Sequence, residues 1–367
     1  MQLEWLELRD VRSYRHLAFH PGPGVNVLVG DNGSGKTSVL EAIGYLAALA
    51  SFRRAPDAAL IRSGADGAIL RGEIGDGSSA ATIEVEVPSS GRRRVLVNGK
   101  RATGRAAVAD HVTLVSFLPD DLDLVKRGPV YRRDYVDDLA AQVWPVAATE
   151  QQEYERALRQ RNGLLRREGR HADRTTLDVL DEKVADLGGA VIARRLDTIE
   201  AVSPVVSSLY RELGERAETV TWTYAGTGVS AEPPRAREAL AQQLASALGA
   251  ARETDVERRV TTVGPQRDDV ILTVAERDAR TRASQGEQRS LALGLRLAAL
   301  HILTERRVSP PILLLDDVFS ELDAGRGERL MSRLPAGQVF VTTARADEVP
   351  LAGQRWRVAE GSVTPHG

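Results

Sequence analysis

The chain has 367 residues, enough for one large core or two medium ones, with 42% apolar and 27% charged residues and a formal net charge of −2. It has no cysteine, which excludes disulfides and thiolate metal sites, and no apolar run reaches the ~18–20 residues of a membrane span. The first ten residues carry Glu4, Glu7, Arg9 and Asp10 without an apolar stretch, so no secretory leader is expected and the cytoplasm is the expected location.

From the start the pattern is β-rich: Leu3–Leu8 alternates, and the short β-branched run Val25–Val29 reads as a buried strand. It leads into Gly30-Asp31-Asn32-Gly33-Ser34-Gly35-Lys36-Thr37, which fits the phosphate-loop pattern G-x-x-x-x-G-K-[ST]. Val39, Leu40, Ile43, Leu46 and Ala47 then recur at helical spacing, so strand, glycine loop and helix follow in the order the motif needs. Backbone N–H groups at that helix start, helped by the helix dipole, face a bound phosphate. Only four of the 49 basic residues are lysines (Lys36, Lys100, Lys126, Lys183), and one stands in this loop. A compact ammonium fits between two phosphates where a planar guanidinium does not.

Thr82–Val87 alternates again, and Val95–Lys100 carries an Asn-Gly hairpin signal. Arg92, Arg93 and Arg94, with Lys100, Arg101 and Arg105, make the hairpin basic, and a basic ribbon can lie along a phosphate backbone. Val112–Leu118 is a further strand, closed by Pro119. Residues 1–130 thus form the first part of a nucleotide-binding head.

From Tyr131 the texture becomes helical. Leu177, Leu180, Val184, Leu187 and Val191 step by 3, 4, 3 and 4, a seam suited to an antiparallel helical bundle. Charge over 131–262 is nearly balanced, but residues 156–174 hold seven arginines against Glu168 and Asp173. Arg166, Arg167 and Arg170 of that cluster are candidate DNA contacts, with a solvated helix end as the plainer reading. The loop Gly226–Pro234 marks a break near the end of the arm.

Residues 263–367 return to the head. Ile271–Val274 is a strand candidate, and Ser284-Gln285-Gly286-Glu287-Gln288 opens an amphipathic helix. Ile312–Asp316 with Asp317 is an acidic strand end, 279 residues after Thr37, followed by Ser320-Glu321-Leu322-Asp323 and a strand Gln338–Thr342. The two halves of one Mg·ATP site therefore lie at opposite ends of the chain.

Together these residues resemble the RecF family of bacterial DNA recombination and repair proteins, relatives of the SMC ATPases. The resemblance covers the whole chain and rests on VLVGDNGSGKTSVLEAIGYL, Ser51-Phe52-Arg53, Phe117–Asp121, Arg132-Arg133 with Asp137, GPQRDD at 264–269, SQGEQRSLALGLRLA at 284–298 and LLLDDVFSELD at 313–323. It implies an α/β fold: an ABC-type P-loop ATPase head, with a mixed sheet, flanking helices and an antiparallel β-subdomain, plus an inserted helical arm. It also implies that Lys36 contacts phosphates and that Thr37 and Asp316 hold Mg²⁺. Asp317 stands at the position of the water-activating base, and Asp323 in the D-loop. Ser284, Gln285, Gly286, Glu287 and Gln288 form the signature that closes on ATP held by a second copy.

The activity implied is slow ATP hydrolysis driving a homodimeric clamp on duplex DNA at single-strand/duplex junctions. RecR is the expected partner, with RecO and the RecA recombinase downstream, and the nucleoid is the expected place of work. Three departures stand out. Gln266 replaces the family's usual histidine. No histidine follows the strand at 338–342, leaving Thr343 or Arg345. No glutamine lies in 117–121, leaving Asp120 or Asp121. Two other classes share parts of this pattern. One is the ATPase subunit of an ABC transporter, which the long insertion and the LDDVFSELD string disfavour. The other is a further SMC-like ATPase.

Overall fold

The structure is a computed structural model that describes residues 1–366 apart from 78, 215–217, 323 and 335–336. Chain contacts divide it into two compact units, residues 1–121 with 295–367, and residues 122–294.

The first unit holds two six-stranded sheets. Strands β1 (Gln2–Val11) and β2 (Tyr14–Phe19) form a hairpin, and β3 (Val25–Val29) feeds the helix α1 (Lys36–Ala48). Then come β4 (Gly67–Gly75), β5 (Ala80–Pro88), β6 (Arg94–Val97), β7 (Lys100–Ala102), the short helix α2 (Ala106–Ala109) and β8 (Leu114–Phe117). One sheet is antiparallel, in the order β2-β1-β4-β5-β6-β7. Its strands alternate as the sequence pattern requires: Leu3, Leu6, Leu8, Leu70, Ile83 and Val85 turn inward onto α1, and charged side chains turn to solvent.

The second unit is the arm. It runs through α3 (Asp123–Lys126), α4 (Pro129–Val143), α5 (Pro145–Glu168), α6 (Arg174–Gly214), β9 (Val220–Ala225) and α7 (Arg237–Arg258). It continues with β10 (Asp269–Val274), β11 (Arg277–Asp278), α8 (Ala279–Arg282) and the first half of α9 (Gln285–Arg306). At 41 residues, α6 is about 60 Å long and passes through Pro204. Its seam residues Leu177, Val184 and Val191 are buried, against α5 on one side and α7 on the other.

Two features of the arm differ from the sequence reading. Packing groups residues 263–294 with the arm, whereas the sequence reading ran them with the returning head. The physical reason is β-pairing: β10 lies antiparallel to β9 in a three-stranded sheet β11-β10-β9, so Ile271–Val274 finds its partner inside the arm. The loop Gly226–Pro234 accordingly links β9 to α7, with 22 further helical residues after it.

The chain re-enters the first unit along α9 and adds β12 (Ile312–Asp316), α10 (Val318–Glu321), α11 (Ala324–Ser332), β13 (Val339–Thr343), β14 (Gln354–Ala359) and β15 (Ser362–Pro365). Their sheet has the order β15-β14-β3-β13-β12-β8, parallel except for β15. Every residue of β12 and β13 is buried, as strands covered on both faces must be. Among the described residues no helix is long and apolar enough to cross a membrane.

Candidate functional site

In a parallel sheet, ligands gather beyond the carboxyl ends of the strands. β3, β13 and β12 are neighbours in that order, so their ends bring the glycine loop, Thr342 and Asp316-Asp317 to one edge. Sequence distance hides this edge; strand order creates it.

The loop's shape depends on its glycines. A Cβ on Gly30 would lie 2.3 Å from the carbonyl oxygen of Val358. Gly35 has φ +107°, and a Cβ there would meet the hydroxyls of Ser13 and Tyr14 at 2.8 Å. Tyr14 donates its hydroxyl to the Gly35 carbonyl at 3.1 Å, and burial pushes its phenol pKa up. Lys36 folds back over the loop, its Nζ donating to the carbonyls of Gly30 (2.6 Å) and Asp31 (2.9 Å). Burial lowers the pKa of this ammonium, while Asp317, Asp316 and Asp31 pull it the other way. Asp31, Asn32 and Gly33 are exposed. Ser34 Oγ is buried with no hydrogen-bond partner among the described residues.

Thr37 Oγ1 donates to Asp316 Oδ1 at 2.8 Å, joining the two sequence halves directly. Thr342 Oγ1 donates to the same oxygen at 2.7 Å and accepts the Asp317 N–H at 2.9 Å. Asp317 sits in the left-handed region, φ 52° and ψ 27°, sparsely populated for a non-glycine residue. Sequence reasoning missed Thr342 and Tyr14. Thr342 lies opposite Asp316 only through strand register, and Tyr14 is an ordinary core aromatic until the loop folds onto it. Thr343 and Arg345 cap their own turn: the Thr343 hydroxyl donates to the Arg345 carbonyl and accepts its N–H. Asp121 of the expected 117–121 segment is held by Arg296 at 2.7 Å, whereas Asp120 is exposed. Asp323 lies outside the described residues.

The signature segment belongs to the arm. Ser284 Oγ accepts the Glu287 N–H at 3.3 Å, and the Glu287 carboxylate accepts the Ser284 N–H at 2.6 Å. This reciprocal capping box fixes the start of α9. Gln288 is buried and donates to the carbonyls of Ala279 and Arg280. Ser284, Gln285 and Gly286 are exposed, and a Cβ on Gly286 would touch nothing within 4 Å. Of the five expected clamp residues, Glu287 and Gln288 therefore build the helix start that Ser284, Gln285 and Gly286 present.

The candidate DNA contacts separate similarly. Asn98 and Gly99 take positive φ at the turn of the β6–β7 hairpin. Arg93 is turned inward, donating to Tyr45 Oη at 2.9 Å and facing Asp57 at 3.3 Å, so it anchors the hairpin to α1. Arg94 pairs with Glu86 at 2.9 Å. Arg92, Lys100 and Arg101 are exposed with no ion-pair partner among the described residues. On the arm, Arg166, Arg167 and Arg170 are exposed, but Arg161 of the same basic cluster is fully buried between Asp181 and Asp255.

The fold and the strand-end edge define the head of an ABC-type ATPase of the SMC class, and the comparisons narrow this. The family model described as "RecF/RecN/SMC N terminal domain" matches residues 2–362. The protein is 40% identical to the DNA replication and repair protein RecF of Streptomyces avermitilis over 99% of both chains. It is 41% identical to that of Frankia alni, again over 99% of both. Two solved structures of the recombination mediator protein RecF in the RecFOR pathway superpose with TM-scores of 0.91 (RecF-ATP) and 0.89 (RecF-ATPrS). Both are 27% identical and cover 100% of this chain and 97–98% of theirs. An Smc head bound to the C-winged helix domain of ScpA shares the fold, at 17% identity and a TM-score of 0.56 over 100% of this chain and 97% of that one. The chain belongs to the RecF family.

Proposed function

We propose that this protein is an ATP-dependent DNA-binding protein of recombinational repair, in which ATP joins two copies into a clamp on duplex DNA. The observation that carries the reading is the 2.8 Å hydrogen bond from Thr37 to Asp316, which joins a phosphate loop to an acidic strand end across 279 residues. A solved structure of RecF-ATP, similar to this chain over its whole length, supports the ligand.

The residues suit Mg·ATP. The unpartnered Ser34 hydroxyl offers a phosphate a hydrogen bond, and Lys36 can exchange its carbonyl partners for β- and γ-phosphate oxygens. Thr37 and Asp316 supply a hydroxyl and a carboxylate, the hard oxygen donors Mg²⁺ prefers. Among the described residues no cluster of three or more histidines and carboxylates could hold a metal alone, which suits an ion completed by phosphate and water. When bound, Mg²⁺ would neutralise charge on the phosphate oxygens.

Asp317 takes the role of general base in this reading. Aspartate is a methylene shorter than the usual glutamate, so alignment of the attacking water is poorer and turnover slow. Ser284 keeps its hydroxyl hydrogen free to donate, because its oxygen is the capping acceptor. With the Gly286 N–H at a helix start, it forms an anion clamp for ATP held by a second copy. The head and arm act as separate functional parts, with the signature carried by the arm. Arg92, Lys100 and Arg101 offer phosphate contacts on the head. In the cell the clamp acts at single-strand/duplex junctions of gaps in the nucleoid, where with RecR and RecO it assists RecA loading.

The test is duplex binding across a salt series with and without ATP. A steep salt slope present only with ATP is expected; no binding in either state overturns the reading. Ser284→Arg separates the clamp from the loop: monomers should bind ATP yet fail to dimerise, and sedimentation showing ATP-driven dimers of this variant would remove the clamp in trans.

A further inference from the structure

Among the arginines of the arm, two sets stand out. Arg132, Arg161, Arg195, Arg237 and Arg252 each face a carboxylate within 3.1 Å. Arg166, Arg167, Arg170, Arg174, Arg258 and Arg259 are exposed and have no ion-pair partner among the described residues. Arg156, Arg267, Arg280, Arg282 and Arg289 are likewise exposed without an ion-pair partner among the described residues, so what sets the six apart is their shared location.

These six come from two stretches of sequence, 166–174 and 258–259, that share one end of the arm. Leu164, Leu165 and Leu177 form a small core there, with Ala172, Leu180 and Val256 packed against it. Arg166 and Arg167 follow its first two leucines on α5, and Arg170 lies in the turn Gly169–His171. Arg174 opens α6, and Arg258 and Arg259 close α7 just beyond Val256. The approach is direct: a Cβ on Gly169 would lie 3.7 Å from Arg259 Nε. The exposed carboxylates interspersed with them are Glu168, Asp173 and Glu257, half as many. Asp173 is committed to Thr176, accepting both its N–H and its hydroxyl at 2.7 Å.

Local helix stability does not account for the set. Cations at the C-terminal ends of α5 and α7 complement the helix dipole, but Arg174 stands at the N-terminal end of α6, where the dipole disfavours a positive charge. Six guanidinium groups on three converging helix ends instead match a row of phosphates, which planar forks bind in bidentate fashion.

We propose that this end of the arm is a phosphate-backbone docking surface for duplex DNA, assembled from the ends of α5 and α7 and the start of α6. It rests on the DNA-binding reading above and gives that reading a second contact, separate from the head hairpin.

The experiment compares the full-length protein with two triple variants, Arg166→Gln/Arg167→Gln/Arg170→Gln and Arg174→Gln/Arg258→Gln/Arg259→Gln. A labelled duplex is titrated with ATP present from low to moderate salt. Each triple should weaken binding by about tenfold and flatten the log–log salt slope by about two to three, since each lost phosphate contact removes about 0.9. Lysine versions should recover most of both effects, and ATP turnover without DNA should not change. Unaltered affinity and slope in both triples, with the parent binding DNA, overturns the tip surface and leaves the DNA-binding reading standing. A parent that binds no duplex overturns both. Poly-L-glutamate is titrated in parallel: variants that lose it but keep the parent's duplex binding would assign the surface to an acidic protein and overturn the proposal.

Discussion

Head and arm differ in how much charge they carry through their interiors. The head has a large apolar core spanning both sheets and α1, with Lys36, Thr37, Asp316 and Thr342 meeting at the strand ends and one fully buried carboxylate, Glu41, held by Arg12 and Ser51. The arm runs charge through its interior. Arg161 is wholly buried between Asp181 and Asp255 and donates to Thr261, and Arg195 is buried against Asp137 and the carbonyl of Pro265. Burial alone would disfavour the Arg195 charge, but Asp137 outweighs it and holds the guanidinium firmly protonated. The GPQRDD stretch joins this network: Tyr224 and Thr227 donate to Asp268, Arg132 grips Asp269, and Tyr154 donates to Gln266. Gln266 therefore serves the arm's interior by accepting from a tyrosine and donating to the Val263 carbonyl. Apolar packing tolerates many sequences, whereas a buried ion pair demands its partner. The arm should be the more brittle unit toward single substitutions.

Four substitutions can break or sharpen that contrast. Asp255→Ala leaves the buried Arg161 with Asp181 alone, a carboxylate shared with Arg252, and strips Thr262 of its acceptor; it should cost about 3–5 kcal/mol, seen as an early loss of helical signal in urea. A change below about 1 kcal/mol would mean that the arm does not depend on the network. In the head, Lys36→Arg should leave the unfolding midpoint nearly unchanged while ATP turnover falls by about two orders of magnitude, the scale of losing one aligned charge contact. Unchanged turnover would remove the phosphate-loop assignment. Thr342→Val deletes the hydroxyl shared by Asp316 and Asp317 and should cost about 1–3 kcal/mol together with slower hydrolysis. A stable variant with normal turnover would show that register alone holds the two aspartates. Smallest is Arg159→Ala, which breaks an exposed pair with Glu155 at 3.4 Å and should shift stability by less than about 0.5 kcal/mol in denaturant titration.

What could be read without coordinates follows the same division. The phosphate loop, its strand and helix, the Asn-Gly hairpin and the acidic strand carry local patterns, and each appears where its pattern stands. Features made by distant pairs were not legible. Arg161 reads as one more surface arginine because Asp255 lies 94 residues away. β9 leaves little trace, since its alternation of Val220, Trp222 and Tyr224 gains meaning only beside β10. Arg93 looks like a free cation of a basic ribbon until Tyr45 and Asp57 close around it. Pairing of charges is a property of three dimensions, so composition overstates the number of cations available to a partner.

The scarcity of lysine has a practical consequence for reading the loop's state. Lys36 is 8% exposed and tied to two carbonyls, whereas Lys100 and Lys183 stand in solvent. An amine-acylating reagent therefore meets a nearly blank protein, with four side-chain targets and one of them inside the nucleotide loop. Mass-spectrometric counting of acyl groups at Lys36 against the exposed lysines turns this composition into a footprint. It reports whether the ammonium still bridges Gly30 and Asp31 or has been drawn away.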